Sequence, residues 1–419
     1  MSQPPQPTAL SAQQLFDNAQ RLHAAGELRQ AEHLYREILR RDPSHAAAVG
    51  ALGVIACQTG NLEAGVKLLR EALAHAPGDA DLNNNLGMAL MSMGDAVAAR
   101  PLFELALTAR PRFPEAHFNG GNACLAEGQH AAAEKHYRAA LRQRADYVDA
   151  ANNLGNLLFD LGRMDEAAQC MHKVVQLAPR FAPGQLGLAR ALAGAGKTEQ
   201  AVAACRRALE LDDTQLPAWE LLAMCLRRLG ELEGAAQTLA RAVPLAPQSA
   251  TLRDQLGLVQ FSLGQVEEAA ANFEAAEAIA AGQPQYATHV GMAASARGDR
   301  ERARLAFERA LAVAPGHAEA LRNLAEMAAD DAQARALEQR IDRGLASATD
   351  SAARSQLLFA QGRLRDLRGD YTGAFASFSA ANALRRDAVP FDRAGQRQFI
   401  DAVIETFSED FMRRASLHA

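Results

Sequence analysis

The sequence predicts an all-α fold, a right-handed superhelical solenoid of antiparallel helix pairs, on three observations. Glycine stands at 26, 60, 94, 128, 162, 196, 230, 264 and 298, nine times at a constant step of 34 residues. Small residues recur at two fixed offsets around that glycine. Proline closes most of the steps. A period in this range marks stacked supersecondary units, none of which can bury its apolar face alone.

With each repeat begun fourteen residues before its glycine, the first starts at Ala12 and the ninth ends near residue 317. Position eight is then Ala19, Gly53, Gly87, Gly121, Gly155, Ala189, Ala223, Gly257 and Gly291. Position twenty is Ala31, Gly65, Ala99, Ala133, Ala167, Ala201, Ala235, Ala269 and Ala303. Small side chains at both places let two helices approach closely. Position twenty-seven is alanine in seven of nine repeats, which lets the next repeat stack on the second helix. Large apolar residues fill the space between, such as Leu86, Leu154 and Leu188 at position seven and Tyr35, Phe103, Tyr137, Phe273 and Phe307 at position twenty-four.

The recurring glycine is expected to take the left-handed conformation that ends the first helix of each pair. Pro43, Pro77, Pro111, Pro179, Pro247 and Pro315 occupy position thirty-two, where proline stops the second helix and can open the next. Ala145, Asp213 and Ala281 replace it elsewhere, and those junctions are expected to be less sharply defined.

These positions resemble the tetratricopeptide repeat family, including Trp219, the only tryptophan, at a place where that family often carries one. The resemblance covers residues 12–317 strictly. Residues 318–390 read as degenerate repeats. Ala318–Met327 serves as a first helix, Leu337, Ile341 and Leu345 lie on a second, and Gly362, Gly369, Ala374, Phe378 and Ala381 mark one further copy near 355–388. Residues 1–11 are expected to be a disordered tail, and 391–419 a capping helix or a linker to a missing domain.

Composition narrows the partners. The formal net charge is −5, which predicts no general attraction to nucleic acid or to an anionic membrane. No uninterrupted apolar stretch approaches the eighteen residues of a membrane span, and the first residues lack a basic start and an apolar run, so a cytoplasmic protein is expected. Cys57, Cys124, Cys170, Cys205 and Cys225 are far apart and fall in predicted helices, where they read as small core residues in a reducing compartment.

Nothing in the chain points to catalysis. Ala191–Thr198, ending Gly196-Lys197-Thr198, differs from a phosphate loop only in its first residue. No strand precedes it, however, and Gly196 is the inter-helix glycine of repeat six. The eleven histidines show no His-x-x-x-His pair, so no metal site is expected. Cys170 and His172, two apart on a helix, do not face each other. No cofactor is predicted.

Binding is the expected chemistry, with first helices lining the concave face. Asn85, Asn119 and Asn153 share position six in repeats three to five, and Asp81, Glu115 and Asp149 share position two, one turn earlier. Asn122 and Asn156 add position nine. A ladder of amides flanked by carboxylates suits the backbone of an extended peptide, because each amide both donates and accepts. The ladder resembles the one in repeat arrays of O-linked N-acetylglucosamine transferases. The competing expectation is that these asparagines bond neighbouring helices. Repeats three to five carry Asn84, Phe118 and Asn152 where the carboxylate clamp of chaperone-binding repeat proteins would need lysine, so that adaptor role is disfavoured. Arg190, Arg227 and Arg228 read more simply as charges at helix ends than as a basic patch.

Beyond Pro390 the text changes. Phe391 to Arg414 has apolar residues at helical spacing, and together with Gly369–Arg386 it resembles the last repeat and linker of bacterial tetratricopeptide–sulfotransferase fusions. The resemblance implies that the chain is the substrate-presenting half of such a fusion, with no catalytic position carried here. The alternative is a stand-alone adaptor for protein assembly.

Overall fold

The computed structural model describes residues 10–386 and 393–406, and all regular structure among them is helical, with no strand. Residues 1–9 of the predicted 1–11 tail, residues 387–390 of the degenerate repeats, and residues 391–392 and 407–419 of the predicted cap or linker lie outside the described residues. The chain divides into two compact units, Met1–Cys225 and Leu226–Ala419, with the division inside helix Leu216–Arg228.

In the first unit the first helices are Ala12–Ala24, Ala46–Gln58, Ala80–Ser92, Pro114–Ala126, Val148–Asp160 and Ala182–Gly194. The second helices are Leu28–Arg41, Leu62–His75, Ala96–Ala109, His130–Gln143, Met164–Leu177 and Thr198–Leu211. Every one begins 34 residues after its counterpart in the preceding repeat. At 13 and 14 residues such helices are marginal alone, so their stability comes from stacking.

The recurring glycine ends each first helix as expected. At Gly26 the glycine N–H donates to the His23 carbonyl and the Glu27 N–H reaches back to Leu22. That pair of bonds satisfies two of the carbonyls left open at a helix end. All nine glycines, and Gly369 in the second unit, have φ between 73° and 87°.

The prolines at position thirty-two act differently from expectation. Pro43 lies two residues past helix Leu28–Arg41 and three before Ala46, so it stops one helix without opening the next. Helix-opening prolines are instead Pro114, Pro183 and Pro284. The junctions without proline are as sharp as the others. Tyr147 N–H donates to Arg144 O and Gln283 N–H to Ala280 O, as Asp79 N–H does to Ala76 O beside Pro77. At Asp213 the preceding Asp212 accepts from Thr214 N–H and Oγ1, the same turn that Asp42 and Ser44 make around Pro43. The side-chain turn and the stacked helices hold the bend, so proline is dispensable there.

Several helix pairs close through one size match. A Cβ on Gly87, Gly121 or Gly257 would sit 2.6 Å from the ring of Phe103, Tyr137 or Phe273 respectively. In these pairs the glycine at position eight is the seat of the aromatic at position twenty-four, whereas repeat one carries Ala19 with Tyr35. Where position twenty-four is only Cys205, position eight is Ala189. Ala31, Ala99, Ala133, Ala167, Ala201, Ala235, Ala269 and Ala303 are fully buried at position twenty.

Helix Ala96–Ala109 continues through Pro101, which is exposed. Ala99, Phe103 and Ala106 on its other face are fully buried, and that packing outweighs the missing hydrogen bond.

The second unit continues the same pairs with Leu232–Ala242 and a short 3-10 turn, Ala250–Ser262, Val266–Ile279, Pro284–Ala296 and Arg300–Val313. The degenerate repeats follow as Ala318–Met327 with Asp331–Ser347, and Ser351–Leu367 with Tyr371–Arg386. Leu337 and Ile341 are buried in the former, and a Cβ on Gly362 would lie 2.5 Å from Phe378 in the latter. Helix Arg393–Thr406 is exposed along most of its length.

Candidate functional site

The amide and carboxylate residues of repeats three to five all lie on the first helices Ala80–Ser92, Pro114–Ala126 and Val148–Asp160, inside the first unit. Successive first helices touch one another, so residues at equivalent positions become neighbours across repeats. Asn119 Nδ2 donates to Asn84 Oδ1 at 2.9 Å. Asn153 Nδ2 donates to Asn122 Oδ1 at 2.9 Å, and the same oxygen accepts from the Tyr137 hydroxyl at 2.8 Å. Burial pushes the Tyr137 phenol up to about 12, so it stays protonated and serves as that donor.

Three of the predicted amides thus bond neighbouring elements. Asn85 and Asn156, both half-buried, hold no side-chain hydrogen bond among the described residues. The bonded asparagines still keep capacity, because each amide has two donors and two acceptor lone pairs.

The carboxylates divide in a similar way. Asp81 takes both arms of Arg110, at 2.9 and 2.5 Å, and Glu115 accepts from Arg144 at 2.6 Å. Both arginines occupy position thirty-one of the same repeat and lie over an aromatic ring, Phe113 and Tyr147 at 4.7 and 3.5 Å. In repeat five that position is Ala178, and Asp149 is exposed with no ion pair among the described residues. Sequence reasoning missed the arginine partners, Asn84 and Tyr137. The readable signal was an acid and an arginine 29 residues apart in two successive repeats.

On the second-helix side of repeat four, His117 Nδ1 and His136 Nδ1 are 3.4 Å apart beside a cavity of about 420 Å³. Burial lowers the pKa of both; the neighbouring His136 adds to this at His117, while at His136 the Glu104 carboxylate partly opposes it. Nineteen residues separate the two, so a search for adjacent histidines could not find them. Among the described residues no group of three or more His, Cys, Asp or Glu could hold a metal ion.

The remaining sequence features have structural roles. Gly196 sits in a helix–turn–helix with φ 76°, not in a strand-to-helix phosphate loop. The Arg190 guanidinium lies 4.4 Å from the centre of the Phe159 ring, and Trp219 Nε1 donates to the Asp213 carbonyl at 2.8 Å. Cys124, Cys205 and Cys225 are buried, whereas Cys57 and Cys170 are half-buried, and burial raises the Cys205 thiol to about 12. No helix among the described residues is long and apolar enough to cross a membrane.

No curated protein matches the chain. Among solved structures, the MamA protein is 25% identical over 40% of this chain and 91% of that one, with a TM-score of 0.38. YrrB, described as a TPR protein with an unusual peptide-binding site, is 22% identical over 44% of this chain and 95% of its own, with a TM-score of 0.41. PilF of Pseudomonas aeruginosa is 22% identical over 49% of this chain and 94% of its own, with a TM-score of 0.42. A tetratricopeptide repeat family model matches residues 16–80, 84–146, 118–180, 186–250 and 291–341, more than half of the sequence. With the 34-residue helix register and the left-handed glycines, the family-model match identifies the chain as a member of the tetratricopeptide repeat family.

Proposed function

We propose that this protein is a non-catalytic binding scaffold, and that the first helices of repeats three to five receive an extended peptide of a partner protein. The observation that carries the reading is the division of labour among the asparagines. Asn119 bonds Asn84, and Asn153 and Tyr137 both bond Asn122, while Asn85 and Asn156 on first helices of the same three repeats keep whole amides uncommitted. A braced amide strip is pre-organised, which lowers the ordering cost of binding. Its donors and acceptors match a peptide backbone without demanding a particular sequence. Asp149, lacking the arginine that occupies Asp81 and Glu115, is left to meet a basic side chain of the ligand.

The test separates bracing from binding. Peptides are selected on the wild-type protein from a random 12-residue display library, and their affinities are measured by fluorescence anisotropy. The Asn85→Ala, Asn156→Ala double variant keeps the bracing bonds, so it should melt like wild type and bind about tenfold more weakly, about 1.4 kcal/mol. Unchanged affinity, or no selectable peptide, refutes the reading.

A second reading extends the first: the chain is the substrate-presenting part of a sulfotransferase fusion, as the resemblance of Gly369–Arg386 and residues 391–414 implies. One observation favours it. Helix Arg393–Thr406 exposes Phe399 at 66% and Ile404 at 65%, with Ile400 and Val403 on the same stripe. Such a stripe suits a helix seated against a further domain better than a polar cap. The intact mass of the protein from its native source decides: 44.8 kDa favours the adaptor, and a mass larger by a domain favours the fusion.

A further inference from the structure

The second unit contains a cavity of about 500 Å³ lined by Arg322, Glu326, Ser351, Gln356, Phe359 and Arg385, among others. It lies between the short first helix Ala318–Met327 and the last helix pair, so all of it belongs to one compact unit.

Its charge pattern stands out against the repeats upstream. In repeats three and four the arginine at position thirty-one is neutralised by a carboxylate 29 residues earlier, Arg110 by Asp81 and Arg144 by Glu115. In the last pair the same register gives Arg385 and, 29 residues earlier, Gln356. The arginine is kept and its carboxylate is replaced by an amide of nearly the same shape. Arg385 is exposed, and its guanidinium lies 6.0 Å from the centre of the Phe359 ring at the cavity wall.

Arg322 adds a second underused cation. Its ion pair with Glu319 is long, at 3.8 Å, and its Nε is buried with no hydrogen-bond partner. A buried donor without an acceptor is unfavourable, so this guanidinium is held short of its bonding capacity. Glu326 is the one acid lining the cavity wall beside the two arginines, and Glu319 meets Arg322 only at the long distance already given. Ser355 is already engaged, since its hydroxyl donates to the Ala381 carbonyl at 3.1 Å. Ser351 and Gln356 remain as neutral polar groups on the wall.

We propose that this cavity is a carboxylate-binding pocket, in which Arg322 and Arg385 clasp a carboxylate of a peptide partner in the place that Asp81 and Glu115 fill internally in the earlier repeats. The Gln356 amide donates to the same carboxylate, and Phe359 and Leu384 cover the adjoining aliphatic carbons. Arginine suits the task because its planar fork bonds both oxygens at once. The pocket uses residues of the second unit only, so it stands or falls independently of the amide strip in repeats three to five.

The test uses the full chain labelled with 15N-arginine, its Nε–Hε resonances assigned through Arg322→Gln and Arg385→Gln. Three peptide probes are titrated: Ac-Glu-NH2, which carries a side-chain carboxylate, Ac-Ala-Ala with a free chain terminus, and Ac-Gln-NH2 as the neutral control. Inorganic phosphate is titrated separately. The Arg322 and Arg385 resonances should move together along one saturable curve with a carboxylate probe, and whichever probe binds more tightly identifies the source of the carboxylate. Gln356→Glu restores the internal carboxylate without removing an arginine, and it should weaken that binding at least tenfold while leaving the melting temperature at or above that of wild type. No saturable shift, an equal response to Ac-Gln-NH2, a response to phosphate alone, or an unchanged curve in Gln356→Glu overturns the proposal.

Discussion

Gly291 faces the ring of Phe307 so closely that a Cβ at position 291 would lie 2.5 Å from the Phe307 Cε1 atom. Phe307 is fully buried, so the ring cannot swing away without disturbing the helix pair. At Gly155 the nearest atom is instead the terminal methyl of Met171, at 2.8 Å, the far end of a flexible chain.

The two glycines should therefore respond differently to the same substitution. Gly291→Ala gains about 1 kcal/mol of helix propensity but forces overpacking, with a net loss of about 1–2 kcal/mol. Gly155→Ala should cost less than Gly291→Ala, because the nearest Met171 atom is the end of a flexible chain rather than a ring. Urea denaturation of both variants checks the order, and equal effects would show that the aromatic seat is not what selects glycine.

Asn122 carries two bonds at once, from the Tyr137 hydroxyl and the Asn153 amide. Asn122→Ala leaves the buried phenol without its acceptor and should cost about 1–3 kcal/mol. Asn156→Ala, which breaks no such bond, should stay within about 0.5 kcal/mol of wild type. Thermal melts of the two single variants make the comparison.

Pro101 deprives helix Ala96–Ala109 of the hydrogen bond to the Val97 carbonyl, four residues earlier. Pro101→Ala restores the donor at an exposed site and should raise stability by about 1–3 kcal/mol. A melting temperature that falls would mean that the ring makes contacts on which the repeat depends.

His117 and His136 give the fold an acid-sensitive point. Burial lowers both pKa values below the unfolded value of about 6.5, so the unfolded chain takes up protons more readily than the folded one. The contribution of these neutral rings is fully present above that unfolded pKa and is lost as pH falls through it towards the folded values. Melting temperature should thus drop between pH 7.5 and pH 5, and the drop should be smaller in a His117→Asn, His136→Gln variant. An identical pH profile in that variant would remove the pair from the explanation.

Local features were legible wherever one residue type answers to one backbone demand. The glycine at each first-helix end could be read directly, because a φ near 80° excludes other side chains at little cost only for glycine. The size alternation at positions eight and twenty-four was visible as small and large, although its meaning as a seat was not. The prolines at position thirty-two are expected to stop one helix and open the next, and the structure gives them only the first role. Pro43 ends a helix, yet the Ala145 and Ala281 junctions turn in the same way without one, because stacking already dictates the bend.

The candidate site was legible as a list of positions and not as a set of bonds. Asn119 and Asn153 were picked by their shared place in the repeat, but their partners are Asn84 and Asn122, at different positions on adjacent helices. Asp81 and Glu115 are expected as ligand contacts from their place on the first helices, and the structure pairs them with Arg110 and Arg144 at the ends of the second helices.

The sequence by itself determined the helices, their register and the family, because a period of 34 residues repeats the same local backbone demands along the chain. Only the tertiary structure decided which polar side chains are committed and which are left over. A hydrogen bond or an ion pair needs its two groups within about 3 Å of each other, and such a meeting between residues 19 to 35 apart is set by how helices stack, not by their order in the chain.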